Sequence, residues 1–407
     1  MQQLLGKNII LGISASIAAY KSLDLIRLLR KQGAVVRAIP THKALDFVTQ
    51  LSIDTLTSPL TPLHQVERGI KHIEQAYEAD LLLIAPATAD LIAKMAHGFA
   101  DELLLQTYLS YKGPVLVAPA METHMWEHPA TQANIEILKK RGVQIINPES
   151  GELASGRSGI GRLAELETIL EHVLMAFSPQ DFKGQKVLLT AGPTVEELDP
   201  VRYLSNYSSG KMGVALARAL MHRGAEVSLI HGPLQVRIPS NIKSYPIKTA
   251  QQMLGLALEL SPKSNLAILC AAVADYRPAE REKQKIKKNS SQNYSLALIE
   301  NPDILKTLGQ QSSRPFLVGF AAESLDLDRH AQQKILSKNC DLICANLVGS
   351  DDSGFGSDMN QISIFNRNGF VCALEKQDKN MIADRILDVI LMEKNTCLNN
   401  SDFQKNF

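Results

Sequence analysis

Both halves of this chain open the same way. Residues 6–16 read GKNIILGISAS and residues 184–194 read GQKVLLTAGPT. Each is a short apolar run ending in a turn of small residues, as at the start of a parallel α/β sheet. In the first half, the helix after Ser16 carries Leu23, Ile26 and Leu29 and ends at Gly33. Strand-like runs follow at 34–39, 80–85, 114–119 and 143–147, with helical patterns between them. In the second half, strands are expected at 186–190, 226–230, 265–270, 315–320 and 341–345, and helices at 209–223, 249–260, 302–311 and 326–338. A hairpin is expected over 361–376, turning at Asn366–Gly369. Near-continuous apolar strands alternating with helices predict two doubly wound, Rossmann-like α/β domains.

At 407 residues the chain is too long for one typical core. The polar stretch SPQDFKGQK, with Pro179 and Gly184, predicts a linker at 178–185 between a domain of residues 1–177 and one of residues 186–392. Residues 393–407 read as a polar, frayed tail.

A formal charge of +1 argues against nucleic acid or a membrane surface as the main partner. The five cysteines are Cys270, Cys340, Cys344, Cys372 and Cys397. An odd count without CxxC spacing argues against a disulfide framework or a zinc site and for a reducing, cytoplasmic setting. The N-terminal apolar run is broken by Gly12 and serines and lacks a basic lead, so it reads as strand, turn and helix rather than a signal peptide. No run reaches the ~18–20 apolar residues that span a bilayer.

Three small-residue turns follow strands of the first half: Gly12–Ser16, Ala85–Asp90 and Pro119–Met121. Backbone N–H groups and the hydroxyls of Ser14 and Ser16 suit a phosphate at a helix start. The bland reading is a tight turn with Ser16 as N-cap, and the GxGxxG fingerprint is absent. Turns at the carboxyl ends of neighbouring parallel strands together point to a ligand crevice. His72, just before the strand at 80, is by itself more often structural.

The ordered motifs GISASIAAYKS, KHIE, APATADLIAK, PAMETHMW and GELASGRSGIGRLAE make residues 5–175 resemble the flavin-binding cysteine decarboxylases, phosphopantothenoylcysteine decarboxylase above all. The resemblance implies a flavodoxin-like fold. It also implies bound FMN, held by Gly12, Ser14, Ser16, Ile17, Thr41, Ala85, Pro86, Ala87 and Thr88. His72 would be the base assisting substrate oxidation. Met121, Glu122 and the glycine-rich flap would clamp the substrate, in pockets formed between subunits of a trimer.

Two residues depart from the family pattern. Glu122 stands where the family has Asn, and Ser155 stands at the family's proton-donating Cys. An ionised Glu only accepts hydrogen bonds and repels a substrate carboxylate. A serine hydroxyl is a far weaker acid than a thiol, and no cysteine precedes Cys270. The outcomes left open are turnover that stalls before the final reduction, a proton from another group, substitutions that trap an intermediate, and a flavodomain that binds FMN for assembly or regulation alone.

In the second half, SSGKMG fails the P-loop pattern, since no glycine lies at the required distance before Gly210 and Met212 replaces Ser/Thr. It still sets Ser208, Ser209, Gly210 and Lys211 at a helix start that favours anions. The bland alternative is a capped helix with an exposed lysine. Cys270–Tyr276 follows a strand with small residues, and Asp275 suits a metal or a ribose. Lys283, Lys285, Lys287 and Lys288 form either a solvated run or a loop closing over a triphosphate. Pro302 suits the first turn of a helix, and Lys334 and Lys338 share a helix face.

Together AGPTVEELDPVR, SNYSSGKMG, AAVADYR, KIKK, NPDI, VGFAAE and DLICAN make residues 183–390 resemble phosphopantothenate–cysteine ligase. The two activities are fused in this order in bacteria. The resemblance implies that CTP and phosphopantothenate give an acyl-cytidylate, from which the amine of cysteine displaces CMP, with Mg²⁺ as cofactor. Lys285 would serve the triphosphate and Asn206 would hold the acyl-cytidylate. Cys270, Ala271, Ala272, Asp275, Pro302, Asp303, Ile304, Leu305, Phe320, Lys334 and Lys338 would line the substrate and CTP site, with Asp275 also toward the metal. Trimeric flavodomains and dimeric ligase domains would build a homo-oligomer, a dodecamer by analogy.

Overall fold

The computed structural model describes residues 3–57, 71–154, 156–287, 295–323, 327–347 and 356–404. Ser155 and Lys288 lie outside the described residues. The chain divides into two compact units, Met1–Ser178 and Pro179–Phe407.

The first unit runs β1 (Asn8–Ile13), α1 (Tyr20–Lys31), β2 (Val35–Pro40), α2 (Gln50–Leu56), α3 (Lys71–Glu78), β3 (Leu81–Ala87), α4 (Ala89–His97), α5 (Leu103–Ser110), β4 (Val115–Pro119), α6 (Thr123–Glu127), α7 (Pro129–Lys140), β5 (Gln144–Ile145), β6 (Glu149–Glu152), β7 (Ser158–Arg162) and α8 (Leu166–Phe177). Five parallel strands lie in the order β2-β1-β3-β4-β5. Alternate residues of β1 serve opposite layers: Ile9, Leu11 and Ile13 pack with α1 and α8, while Ile10 packs with α4, α5 and α7. Every residue of β3 is buried, as a strand covered on both faces requires. The winding reverses between β1 and β3, which opens a crevice at their carboxyl ends. β6 and β7 form a separate antiparallel hairpin within the glycine-rich stretch.

The second unit runs β8 (Lys186–Ala191), β9 (Glu196–Glu197), β10 (Tyr203–Leu204), α9 (Lys211–His222), β11 (Glu226–His231), β12 (Lys243–Pro246), α10 (Ala250–Leu260), β13 (Leu266–Leu269), β14 (Tyr276–Pro278), β15 (Leu298–Glu300), α11 (Ile304–Gly309), β16 (Phe316–Glu323), α12 (Leu327–Lys338), β17 (Leu342–Leu347), β18 (Met359–Asn366), β19 (Gly369–Asp378) and α13 (Lys379–Gln404). Its eight-stranded sheet has the order β12-β11-β8-β13-β16-β17-β18-β19. Only β18 runs against the other strands of this sheet, pairing antiparallel with β17 and with β19, its partner in the expected hairpin. α9 and α13 cover one face, and α10, α11 and α12 the other. Here the winding reverses between β8 and β13.

One expectation is corrected. The residues read as a frayed tail from 393 continue α13 to Gln404. Ile382, Ala383, Ile386, Leu387 and Ile390 bury one face of this helix, and extending an established helix needs little beyond each residue's own propensity. Two side-chain contacts hold the extension: Asn366 Nδ2 donates to Glu393 at 2.9 Å, and Lys394 Nζ donates to Gln185 Oε1 at 2.7 Å.

Candidate active sites

In the first unit, a single serine laces two of the turns together. The Ser14 N–H and hydroxyl both donate to the Pro86 carbonyl, at 3.2 and 2.8 Å, and the Thr88 N–H donates to Ser14 Oγ at 2.9 Å. Ser14 is buried, so its hydroxyl shapes the crevice from beneath. Ser16 accepts from the Ala18 N–H at 3.2 Å and caps a short 3-10 turn, Ile17–Ala19, that leads into α1. Thr88 caps α4. The Ala85–Pro86 peptide is cis.

The Thr41 N–H donates to the Ile13 carbonyl at 2.8 Å, which brings the end of β2 beside these turns. Its hydroxyl is buried without a hydrogen-bond partner. A buried orphan hydroxyl is costly, and a polar ligand atom would satisfy it. Gly12, Ser14, Ser16, Ile17, Thr41 and Ala85–Thr88 thus sit at three adjacent strand ends, an arrangement that fits a phosphorylated cofactor. His72 is half-buried in the first turn of α3.

The PAMETHMW segment carries the flap. The Met121 N–H donates to the Gly161 carbonyl at 2.9 Å. Gly161 has φ +140°, and a Cβ there would lie 2.2 Å from the Met121 carbonyl oxygen. Only glycine allows that approach. The Glu122 carboxylate accepts from the His124 and Met125 N–H groups at 2.7 and 3.4 Å, capping α6. Its charge sits at the positive end of that helix, which gives the departure from Asn a local rationale.

In the second unit, two adjoining cavities of about 400 and 510 Å³ open at the β8/β13 switch. They share Ala271, Val273, Asp275, Phe320 and Lys334. Asn206, Cys270 and Ala272 line the first, together with the start of α9. Pro302, Asp303, Ile304, Leu305 and Lys338 line the second.

Backbone lacing fixes these walls. Thr190 Oγ1 accepts from the Ala271 N–H at 3.2 Å, and Thr194 Oγ1 accepts from the Ala274 N–H at 3.0 Å. Asn301 donates from its backbone to the Asp275 carbonyl and from its side chain to the Ala274 carbonyl, both at 2.8 Å. Gly210 is the N-cap of α9, and its φ of +76° and crowding by Leu234 exclude a side chain.

Several expectations need refinement. α11 begins at Ile304 with Asp303 as N-cap, so Pro302 precedes the cap instead of occupying the first turn. The Asp303 side chain already accepts the Lys306 N–H, and the Lys338 ammonium pairs with it as well. Burial pushes the Cys270 thiol up to about 12, which leaves a neutral wall group.

Lys285 is exposed and lines neither cavity. Its neighbour Ile286 anchors the segment: the Ile286 N–H donates to Asp199 Oδ2 at 3.1 Å and its carbonyl accepts from Arg202 at 3.2 Å. Burial opposes ionisation of Asp199, but the N–H groups of Val201, Ile286 and Arg202 outweigh it and hold the carboxyl below its ordinary range. Among the described residues no group of three or more His, Cys, Asp or Glu can hold a metal. A hard cation beside Asp275 would take its remaining oxygen ligands from phosphates and water.

Sequence reasoning passed over Thr190, Asn301, Asn346, Asn360 and Lys379, all of which line the cavities. Asn301 and Asn346 lie inside the motifs NPDI and DLICAN, whereas no motif surrounds Lys379.

The flavoprotein family pattern matches residues 1–178, and the DNA/pantothenate metabolism flavoprotein C-terminal domain matches residues 182–393. The coenzyme A biosynthesis bifunctional protein CoaBC of Haemophilus influenzae is 44% identical over 396 residues, covering 95% of this chain and 98% of that protein. The chain belongs to the CoaBC family. The CoaBC protein of Escherichia coli K12 is 43% identical over 399 residues, covering 95% of this chain and 97% of its own length. The CoaBC protein of Mycolicibacterium smegmatis is 41% identical over 406 residues, at 94% and 97% coverage. The CoaBC likeness therefore runs through both units. No helix among the described residues is long and apolar enough to cross a membrane.

Proposed function

We propose that the second unit ligates 4'-phosphopantothenate to cysteine at the expense of CTP, and that the first unit decarboxylates the product to 4'-phosphopantetheine, two steps of coenzyme A biosynthesis. The observation that carries this reading is the pair of cavities meeting at Asp275, Phe320 and Lys334. A nucleotide in the second cavity and an acid in the first would bring carboxylate and α-phosphorus together at those shared walls. The carboxylate oxygen attacks phosphorus and pyrophosphate leaves. The cysteine amine then attacks the acyl carbon, CMP leaves, and the nitrogen loses a proton.

Asn206 holds the acyl-cytidylate from the wall of the first cavity, and Lys334 and Lys338 balance charge along the second. Asp275 would stand beside a Mg²⁺ ion, which when bound would supply further charge neutralisation at the phosphates. Lys285 reaches the triphosphate only if its segment moves inward from its place outside the cavities. The chemistry suits a cytoplasmic homo-oligomer working on small molecules.

In the first unit, FMN when bound supplies the oxidising power for decarboxylation. Gly12, Ser14, Ser16, Ile17, Thr41 and Ala85–Thr88 would hold it, with the Thr41 hydroxyl supplying a donor. His72 would take the substrate proton, and Met121, Glu122 and the β6–β7 hairpin would close over the substrate. A second reading, favoured by the Glu122 carboxylate in the clamp segment, has the first unit stop before the final reduction, for which Ser155 is a poor proton donor.

Pyrophosphate–CTP exchange tests the ligase step. It should depend on phosphopantothenate and proceed without cysteine. Exchange that ignores phosphopantothenate would contradict the acyl-cytidylate.

A further inference from the structure

Lys211 and Lys379 are far apart in sequence, yet both line the first cavity. Each is the first residue of a long helix, Lys211 of α9 and Lys379 of α13. Both bind the same short segment of chain. Lys211 Nζ donates to the Gly356 carbonyl at 2.8 Å and pairs with Asp358 at 2.6 Å, and Lys379 Nζ donates to the Ser357 carbonyl at 2.6 Å.

This arrangement is electrostatically unfavourable in three ways. A cation at a helix N-terminus opposes the helix dipole, and here two helices present that conflict. Lys379 is only 7% exposed, so its charge is largely desolvated. Burial, and next the charge of Lys211, push its ammonium below the ordinary lysine range. Asp358, which also pairs with Lys211, and Asp378 pull the other way without reversing the shift. Other cavity walls are neutral amides and hydroxyls (Asn206, Ser208, Asn346, Asn360), apart from Asp275 and Lys334 near the second cavity. A ligand carrying concentrated negative charge would relieve the conflict.

We propose that Lys379, together with Lys211, forms the anion-holding end of the first cavity and binds a terminal phosphate group of a substrate. The proposal rests on the ligase reading for its substrates, because two of them carry such a group: the phosphomonoester of the acid and the β,γ-phosphates of the nucleotide. Lys379 is thus a substrate-binding residue from the C-terminal helix, remote in sequence from every nucleotide-site motif.

The test compares the full-length wild type with Lys379→Met and Lys379→Arg. Steady-state ligation is measured while phosphopantothenate, then CTP, is varied. Loss of a charge-assisted contact should raise one KM by about tenfold or more, with a smaller change in kcat. Lys379→Arg should restore most of it. A rise confined to phosphopantothenate, absent when pantothenate itself is the acid, assigns the phosphomonoester; a rise confined to CTP assigns the nucleotide phosphates. Unchanged KM values for both substrates in an active Lys379→Met chain would overturn the proposal, as would equal loss in both lysine variants.

A second measurement is independent of turnover and of the ligase reading. Calorimetric titration of the wild type with inorganic phosphate and pyrophosphate should show binding that Lys379→Met weakens by about tenfold. Binding by a wild-type chain that forms no condensed product would uphold the anion site while the ligase reading failed. If neither anion binds the wild type, the site itself is refuted. Should Lys379→Met fail to fold, Lys379→Gln is titrated in its place.

Discussion

Asn206 Nδ2 donates to the Ala272 carbonyl at 2.7 Å, while its Oδ1 accepts the Ser208 N–H at 3.0 Å. The amide bridges the turn before α9 and the turn after β13, so both of its ends are used. Asn206→Asp keeps the acceptor and loses the donor, setting a carboxylate oxygen against a carbonyl. We expect ligation kcat to fall about 100-fold, the upper range for a charged, misdirected hydrogen-bonding group, with a thermal midpoint near that of the wild type. Unaltered kcat in steady-state assays would show that the bridge plays no part in the reaction.

The lysine segment hangs on Asp199 through Ile286. Asp199→Ala removes the acceptor for the Val201, Arg202 and Ile286 N–H groups. Trypsin should then cut at Lys283–Lys287 faster than in the wild type, and KM for CTP should rise. The pH dependence follows from the lowered carboxyl. The stabilisation by Asp199 is complete above its unperturbed value of 3.8 and is lost as pH falls below that, through the depressed folded value. Cleavage rates of variant and wild type should therefore differ at neutral pH and converge in strong acid, where an acid-active protease replaces trypsin.

At Gly161 the flap meets the Met121 backbone more closely than any side chain permits. Gly161→Ala should push the β6–β7 hairpin away from the clamp segment while the β1/β3 crevice keeps its shape. Flavin absorbance of the purified variant should match the wild type, and carbon dioxide release should fall by at least about tenfold, the loss that small misplacements at a reacting centre bring. Loss of flavin together with activity would mean that the hairpin supports the fold instead.

How legible this was in the sequence depended on the kind of signal. Period and turn chemistry placed the parallel strands of both sheets except the exposed edge strand β12, because fully buried strands such as Leu81–Ala87 leave an unbroken apolar run and the KSYP of β12 does not. The small β9/β10 and β14/β15 ladders escaped notice, since strands of two or three residues carry no period. α13 was cut short because its last turns present polar residues, while the apolar face that nucleates it lies earlier, at Ile382–Ile390. Cavity-lining residues at strand ends, such as Ala271 and Ala272, were legible as small-residue turns. Lys379 was not, because its place at the cavity is set by how α13 packs against α9, a relationship between segments 168 positions apart that no local pattern contains.

Arg223 closes α9 and anchors the second unit. It is buried, forks onto both oxygens of Asp181 at 2.9 and 2.6 Å, pairs with Asp388 at 2.9 Å and stacks 5.1 Å from the Phe182 ring centre. Arg223→Ala should destabilise this unit by about 3 kcal/mol, the low end for breaking a buried pair because the carboxylates are partly exposed. Urea denaturation followed by circular dichroism measures it; a change below about 1 kcal/mol would place the pair among ordinary surface contacts.

The most direct measurement is mass spectrometry of the products formed by the full-length protein from phosphopantothenate, cysteine, CTP and Mg²⁺. The account predicts phosphopantothenoylcysteine with stoichiometric CMP and pyrophosphate, followed by its decarboxylated product. Phosphopantetheine at the end would establish full turnover, and accumulation of the enethiol would trace the block to Ser155 and Glu122. No condensed product, with CTP or with ATP in its place, would contradict the ligase assignment.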